Sequence, residues 1–311
     1  MAVNRRKGST KLRGKKGGGM RVLLTGGTGF IGRALTLALT ARQDDVAIVS
    51  RRASPGGFVW DDVEAETERA DAIVNLAGEP VAGGRWTPER LEAIRASRVD
   101  TTARLAQAIA NATRRPRVFV SGSAVGFYGM RLDDSTLDEG APPGEDALAR
   151  IVVAWENAAA PAAGVTRVVH PRIGVVLGRG GGALESMAAP FKWFVGGPVG
   201  TGKQWLSWIH LRDAVRALLF ALDNAGLTGA FNVAAPGAVD MDTFARSLGR
   251  ALHRPSMLRV PSFALRAAMG GGLAEVVLRG QRVAPRKLLE AGFVFELPRL
   301  DPALDAIFRQ G

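Results

Sequence analysis

Apolar residues in this chain follow two rhythms. Short apolar runs within Arg21–Thr25, Val46–Val49, Ala72–Leu76, Arg117–Ser121 and Thr166–His170 read as buried strands, with Phe58–Trp60 as a shorter one. Between them, apolar positions recur at helical spacing over Phe30–Ala41, Pro88–Ala112 and Asp146–Ala160. Thr87 stands where an N-cap belongs, Pro88 suits the first helical turn and Glu89 suits its dipole. Strand alternating with helix predicts an α/β fold, a doubly wound parallel sheet with right-handed crossovers. Ligands in such sheets sit beyond the carboxyl ends of the strands. Gly26–Gly32, Arg51, Ala77–Glu79, Ser121–Tyr128 and Arg172–Val176 all fall at those ends.

Past His170 the rhythm loosens. Gly178–Gly182 and Gly196–Gly202 are turns, Asp213 opens a helix through Leu222 as its N-cap, and Ala230–Val233 reads as a strand. From Pro236 helices dominate. The expected organisation is a disordered basic arm over residues 1–19, then a sheet domain over 20–235 whose last portion is shared with a substrate lobe. A smaller, mainly helical C-terminal lobe covers 236–311.

Composition narrows the classes. With 47% hydrophobic and 23% charged residues the chain is globular, and no apolar run approaches the ~20 residues of a membrane span, so no membrane partner is expected. The absence of Cys excludes disulfides, thiolate metal sites and a cysteine nucleophile. His170, His210 and His253 lie scattered, so no metal site is expected. The net charge of +12 is uneven, because residues 1–19 hold Arg5, Arg6, Lys7, Lys11, Arg13, Lys15 and Lys16 and no acid. That Gly-rich arm lacks an apolar face and reads as a disordered extension. A nucleic-acid contact or an organellar address are its sharper alternatives, and translation from Met20 instead of Met1 is a third. Nothing suggests secretion, and a cytoplasmic location is expected.

The chemistry begins at Thr25-Gly26-Gly27-Thr28-Gly29-Phe30-Ile31-Gly32, between the first strand and the first helix. Strand, glycine turn, helix is the context of a dinucleotide-binding fingerprint. Gly26 permits a tight turn, Gly29 lets backbone amides approach a pyrophosphate, and Gly32 lets helix and strand pack closely. About 20 residues on, the second strand ends in Ser50-Arg51-Arg52 rather than in an acid. Arginine there suits the 2′-phosphate of NADP, a solvated surface pair being the alternative.

The turn resembles the glycine pattern of the extended short-chain dehydrogenase/reductases. More narrowly, the chain resembles their atypical epimerase-like family, which carries a C-terminal domain of unknown function. The matching stretches are Asn75-Leu76-Ala77-Gly78-Glu79-Pro80 with Arg85-Trp86, Ser121–Gly126, Arg172–Gly178, Gly202–His210, Gly280–Val283 and Ala291–Phe293, together spanning about residues 20–308. The resemblance implies a Rossmann-type fold and an NADP(H) cofactor. Expected cofactor contacts are Gly26, Thr28, Gly29, Phe30, Ile31, Gly32, Ser50, Arg51, Arg52, Leu76, Ala77, Gly78, Ser121, Arg172, Gly174 and Val175. Extended members also dimerise through two helices, here Pro88–Ala112 and Asp146–Ala160, although a monomer is equally compatible.

Ordinary members of that superfamily use Tyr and Lys four residues apart, on one helix face, backed by Ser. This chain has one tyrosine, Tyr128, and position 132 is Leu132, so no Tyr-x-x-x-Lys exists. Leu148 and Val152 take the pair's places when Glu156 is aligned with the glutamate that follows it, and with Trp155 and Ala159 they form an apolar stripe. Candidate replacements are Tyr128 on the loop after strand five, Ser123 where the superfamily's serine arises, with Ser121 as its alternative, and Glu79. Two readings stay open: an NADP(H)-dependent epimerase-like protein or oxidoreductase with an unusual proton donor and unknown substrate, or a regulatory protein that binds NADP(H) without turnover.

Overall fold

The computed structural model describes residues 19–51, 57–82 and 84–309. Residues 1–18 of the basic arm and Arg52 lie outside the described residues. The chain runs β1 (Arg21–Thr25), α1 (Phe30–Ala41), β2 (Asp45–Ser50), β3 (Phe58–Val59), β4 (Ala72–Asn75), α2 (Pro88–Asn111) and β5 (Val118–Ser121). It continues through α3 (Ala147–Asn157), β6 (Arg167–Ile173), α4 (Leu211–Asp223) and β7 (Gly229–Val233). These strands form one parallel sheet in the order β7-β6-β5-β4-β1-β2-β3. The order reverses between β1 and β4, which opens a crevice above their carboxyl ends.

Alternation along each strand supplies both faces. Val22, Leu24, Val74, Val120 and Val169 face Leu35 and Leu39 of α1 and Leu218 and Leu222 of α4. Leu23, Val49, Ile73 and Phe119 face Leu105 and Ile109 of α2. Helices therefore cover both sides, as an all-parallel sheet requires. Thr87 caps α2, its hydroxyl accepting from the Arg90 N–H at 3.2 Å.

Three expectations are corrected. The helix expected over Asp146–Ala160 ends at Asn157, Asp146 is its cap, and a separate turn of helix, Ala160–Ala163, follows with Pro161 in its first turn. Strand β6 passes His170 and Pro171 to Ile173, and Ser123–Ala124 pairs with that extension beyond β5. Proline reads as a strand stop, which is why the sequence hid it. Helix α4 starts at Leu211, and its cap is His210, whose Nδ1 accepts from the Arg212 N–H at 3.0 Å. Asp213 instead is fully buried, accepts from the N–H groups of Glu296 at 3.0 Å and Leu297 at 2.8 Å, and pairs with Arg216. It ties the C-terminal segment to the sheet domain.

The C-terminal helices α5 (Met241–Leu252), α6 (Ser262–Met269), α7 (Gly271–Leu278) and α8 (Leu300–Phe308) follow β7. A second core joins Phe244 and Leu248 of α5, Leu304 and Ile307 of α8, and Leu177, Leu184, Phe191 and Trp208 from before β7. Among the described residues no helix is long and apolar enough to cross a membrane.

Burial lowers the pKa of both His170 and His210 from the ordinary value near 6.5. Between the unfolded and folded values the unfolded chain binds more protons. Stability is therefore full above about pH 6.5 and falls as pH drops toward the folded values. Thermal melts from about pH 8 to about pH 5 are expected to show a level midpoint that declines below about 6.5. A level midpoint throughout would contradict this.

Candidate functional site

The glycine turn is built as its sequence demands. Gly26 has φ +72°, and a Cβ there would stand 2.5 Å from the Leu76 carbonyl. A Cβ on Gly32 would stand 2.1 Å from the Gly26 oxygen. Gly29 donates its N–H to that oxygen at 2.9 Å and caps α1 without a side-chain bond. The first-turn amides of α1, beginning at Phe30 and Ile31, are thus left to an external anion, favoured by the helix dipole. Phe30 also explains the second glycine run: added Cβ atoms on Gly178, Gly181 and Gly182 would meet its ring at 2.9–3.0 Å.

A cleft of about 350 Å³ opens at the point where strand order reverses. Its walls are Gly26–Gly29, Ile48–Arg51, Trp60, Leu76–Glu79, and Ser97 and Thr101 of α2. Of the expected cofactor contacts, Gly26, Thr28, Gly29, Ser50, Arg51, Leu76, Ala77 and Gly78 meet here. Phe30, Ile31 and Gly32 lie directly behind in α1. Ser121, Arg172, Gly174 and Val175 do not line this cleft. Ser121 is fully buried, its Oγ without a hydrogen-bond partner among the described residues. Gly174 and Val175 donate their N–H groups to Val233 and Ser207. Ser97 and Thr101 were missed by sequence reasoning. Their signal is two hydroxyls four apart on one helix face, and it is submerged in the charges of α2.

Below the cleft a buried network joins the sheet to both helices of one face. Thr25 Oγ1 donates to Asn75 Oδ1 at 2.6 Å, and Asn75 Nδ2 and Trp155 Nε1 both donate to Thr102 Oγ1, at 2.8 and 2.9 Å. Arg98 lies alongside, over the Trp155 ring, and burial lowers its pKa to about 10.

The catalytic candidates are dispersed. Tyr128 has no accessible surface; its hydroxyl donates to Asn232 Oδ1 at 2.7 Å and accepts from Arg172 Nη1 at 3.1 Å. Burial raises its pKa. Its proton is committed inside the fold, so the structure corrects the expectation of a phenol at the substrate. Ser123, also buried, donates to Glu156 Oε1 at 2.6 Å, and Glu156 holds Arg172 through two bonds of 2.8 and 2.9 Å. Leu148 and Val152 face Gly126 on the loop after β5, 3.2 and 3.8 Å from where its Cβ would be. Both side chains are hydrocarbon and have no proton to give. Glu79 is elsewhere again, on the cleft wall between Arg51 at 3.1 Å and Arg90 at 3.7 Å. Three tryptophans of the matching stretches are tied into the fold: Trp208 is fully buried with Nε1 on the Gly237 carbonyl, Trp205 donates to Asp134, and Trp86 donates to the Val81 carbonyl and packs against Gly272.

Comparison with known proteins gives two family matches. Residues 22–234 match the NAD dependent epimerase/dehydratase family, and residues 260–307 match a domain of unknown function, DUF1731. The epimerase family protein SDR39U1 of Bos taurus is 42% identical over 293 residues, 93% of this chain and 99% of that protein. The epimerase family protein YfhF of Bacillus subtilis is 37% identical over 304 residues, 93% of this chain and 98% of that protein. Among solved structures, human SDR39U1 (isoform 2) with NADPH superimposes with a TM-score of 0.90 at 40% identity, covering 94% of this chain and all of that one.

Proposed function

The chain belongs to the NAD dependent epimerase/dehydratase family, and from that premise we propose that it is an NADP(H)-binding protein of the epimerase or oxidoreductase type. The observation that carries this reading is a backbone cradle facing an arginine, with no acid, at the end of β2. The residues fit the group. Gly26, Gly29 and Gly32 leave the space a pyrophosphate needs, α1 offers unpaired amides, and the exposed Arg51 can reach a 2′-phosphate. The NADPH in the human relative's structure supports the same choice of cofactor.

Bound nicotinamide would supply hydride exchange with a substrate carbon. The chain's own part is orientation and proton handling. Ser123 gives its hydrogen to Glu156, so toward a substrate it can only accept. Ser123 is buried and does not line the cleft, so its hydroxyl, like that of Tyr128, is held inside the fold, with Glu156 fixed in turn by Arg172. A second reading, cofactor binding without turnover, is favoured by the sealed Tyr128 and by the apolar Leu148 and Val152. Incubation with C4-deuterated NADPH and a panel of carbonyl compounds and sugar nucleotides separates the two. Label transfer to any member of the panel supports the enzyme; binding with no transfer across the panel supports the second reading.

Arg51→Gln tests the cofactor. Charge-assisted bonds from one guanidinium to a phosphate correspond to roughly 10- to 100-fold in affinity. NADPH affinity is expected to drop by that factor and NADH affinity to stay within about threefold. An equal drop for both in titrations of cofactor fluorescence would count against the assignment.

A further inference from the structure

The cleft has an unusual charge balance where it meets the end of β2. Three guanidiniums, of Arg51, Arg90 and Arg98, gather about a single carboxylate, Glu79. The backbone of Glu79 is held on both sides: its N–H donates to Ser97 Oγ at 2.9 Å, and its carbonyl accepts from Arg98 Nη1 at 3.0 Å. Its carboxylate then divides between two partners, Oε1 toward Arg51 and Oε2 toward Arg90. Arg51 is 84% exposed and meets Glu79 through one Nη1 contact, whereas Arg90 is 25% exposed and is tied down by a second bond to the Pro80 carbonyl. Of the two, Arg51 is the partner that can leave.

We infer that Glu79 is a specificity-determining residue, one that sets the preference between NADPH and NADH by competing with the 2′-phosphate for Arg51. The inference rests on the NADP(H) reading above. A carboxylate on the cleft wall repels a phosphate dianion, and it occupies the guanidinium that the phosphate needs. The same carboxylate is an acceptor for a ribose 2′-hydroxyl, a role that an acid at the end of β2 plays in folds selecting NAD. Here the end of β2 carries Ser50 and Arg51, and the acid approaches from the loop after β4. Both effects have one sign: Glu79 disfavours the phosphorylated cofactor and favours the unphosphorylated one. Arg90 limits the penalty, because it stays on Glu79 when Arg51 turns to the phosphate.

The test measures dissociation constants for NADPH and NADH, at low and high salt, in wild type, Glu79→Gln, Arg90→Gln and the double variant. Glu79→Gln is expected to raise the NADPH-over-NADH affinity ratio by roughly 5- to 10-fold at low salt, and by less at high salt because the effect is screened. Arg90→Gln should lower the ratio by uncovering Glu79, and that loss should vanish in the double variant. A merely structural Glu79 would weaken both cofactors alike, so an unchanged or reduced ratio in Glu79→Gln, with wild type still binding NADPH, overturns this inference alone. Failure of wild type to bind NADPH overturns the cofactor reading and the inference with it.

Discussion

Gly32→Ala will abolish cofactor binding while leaving the chain folded. The new methyl carbon would lie 2.1 Å from the Gly26 oxygen and 2.9 Å from Gly27 Cα. Both obstacles are backbone, so no side chain can turn aside. The turn must move off α1, and the amides that face a pyrophosphate move with it. A displacement of this size is expected to cost at least ~100-fold in NADPH affinity, about 2.7 kcal/mol, and a further ~1–3 kcal/mol of stability from overpacking. Gly164→Ala is the matched control, because a Cβ there meets nothing within 4 Å and its φ is ordinary. Circular dichroism verifies the fold, and fluorescence titration reads the binding. Affinity within threefold of wild type, in a folded Gly32→Ala, would show that the cradle does not hold the cofactor.

The second large effect is on stability. Glu156→Ala leaves Arg172, whose side chain is 6% exposed, without the carboxylate that takes two of its bonds, and strands the Ser123 hydroxyl as well. Breaking one side of a buried pair costs about 3–5 kcal/mol, most of it from the uncompensated charge. The Phe127 ring, 3.3 Å from the Arg172 carbon, and the Tyr128 hydroxyl remain as partners but carry no negative charge. Glu156→Leu with Arg172→Met removes both charges together and should recover most of the loss, since hydrophobic replacement of a buried pair is often neutral. Urea denaturation of the three proteins decides it. If the single variant loses under about 1 kcal/mol, or the double variant loses as much as the single, the pair is not the anchor of this part of the sheet edge.

Much of the architecture was legible because it depends on local spacing. Apolar runs of strand length set between helical periods gave the alternation, and β1 and α1 fall at the expected bounds. Reading failed where a local signal had two meanings. Pro171 looked like a strand end but sits within β6, opposite Phe231 of β7. Asp213 looked like a cap, yet its carboxylate serves amides more than 80 positions away, and the neutral imidazole of His210 does the capping.

The cofactor cradle follows from sequence for the same reason. Its glycines are required by contacts within the turn and with the neighbouring strand end, and their spacing records that requirement. Sequence likewise dictated that no Tyr-x-x-x-Lys pair exists. Only the tertiary structure decided what the polar residues near the site do. Tyr128, Ser123 and Glu79, in that order, were the candidates on the chain, each following a strand end. Packing closed Tyr128 against Asn232, gave Ser123 to Glu156, and set Glu79 between two arginines. Whether a polar group acts on a ligand depends on which partners reach it first, and those partners lie 11 to 104 positions away along the chain. A glycine's task is written in its own missing side chain, whereas a hydroxyl's or a carboxylate's is written in its neighbours.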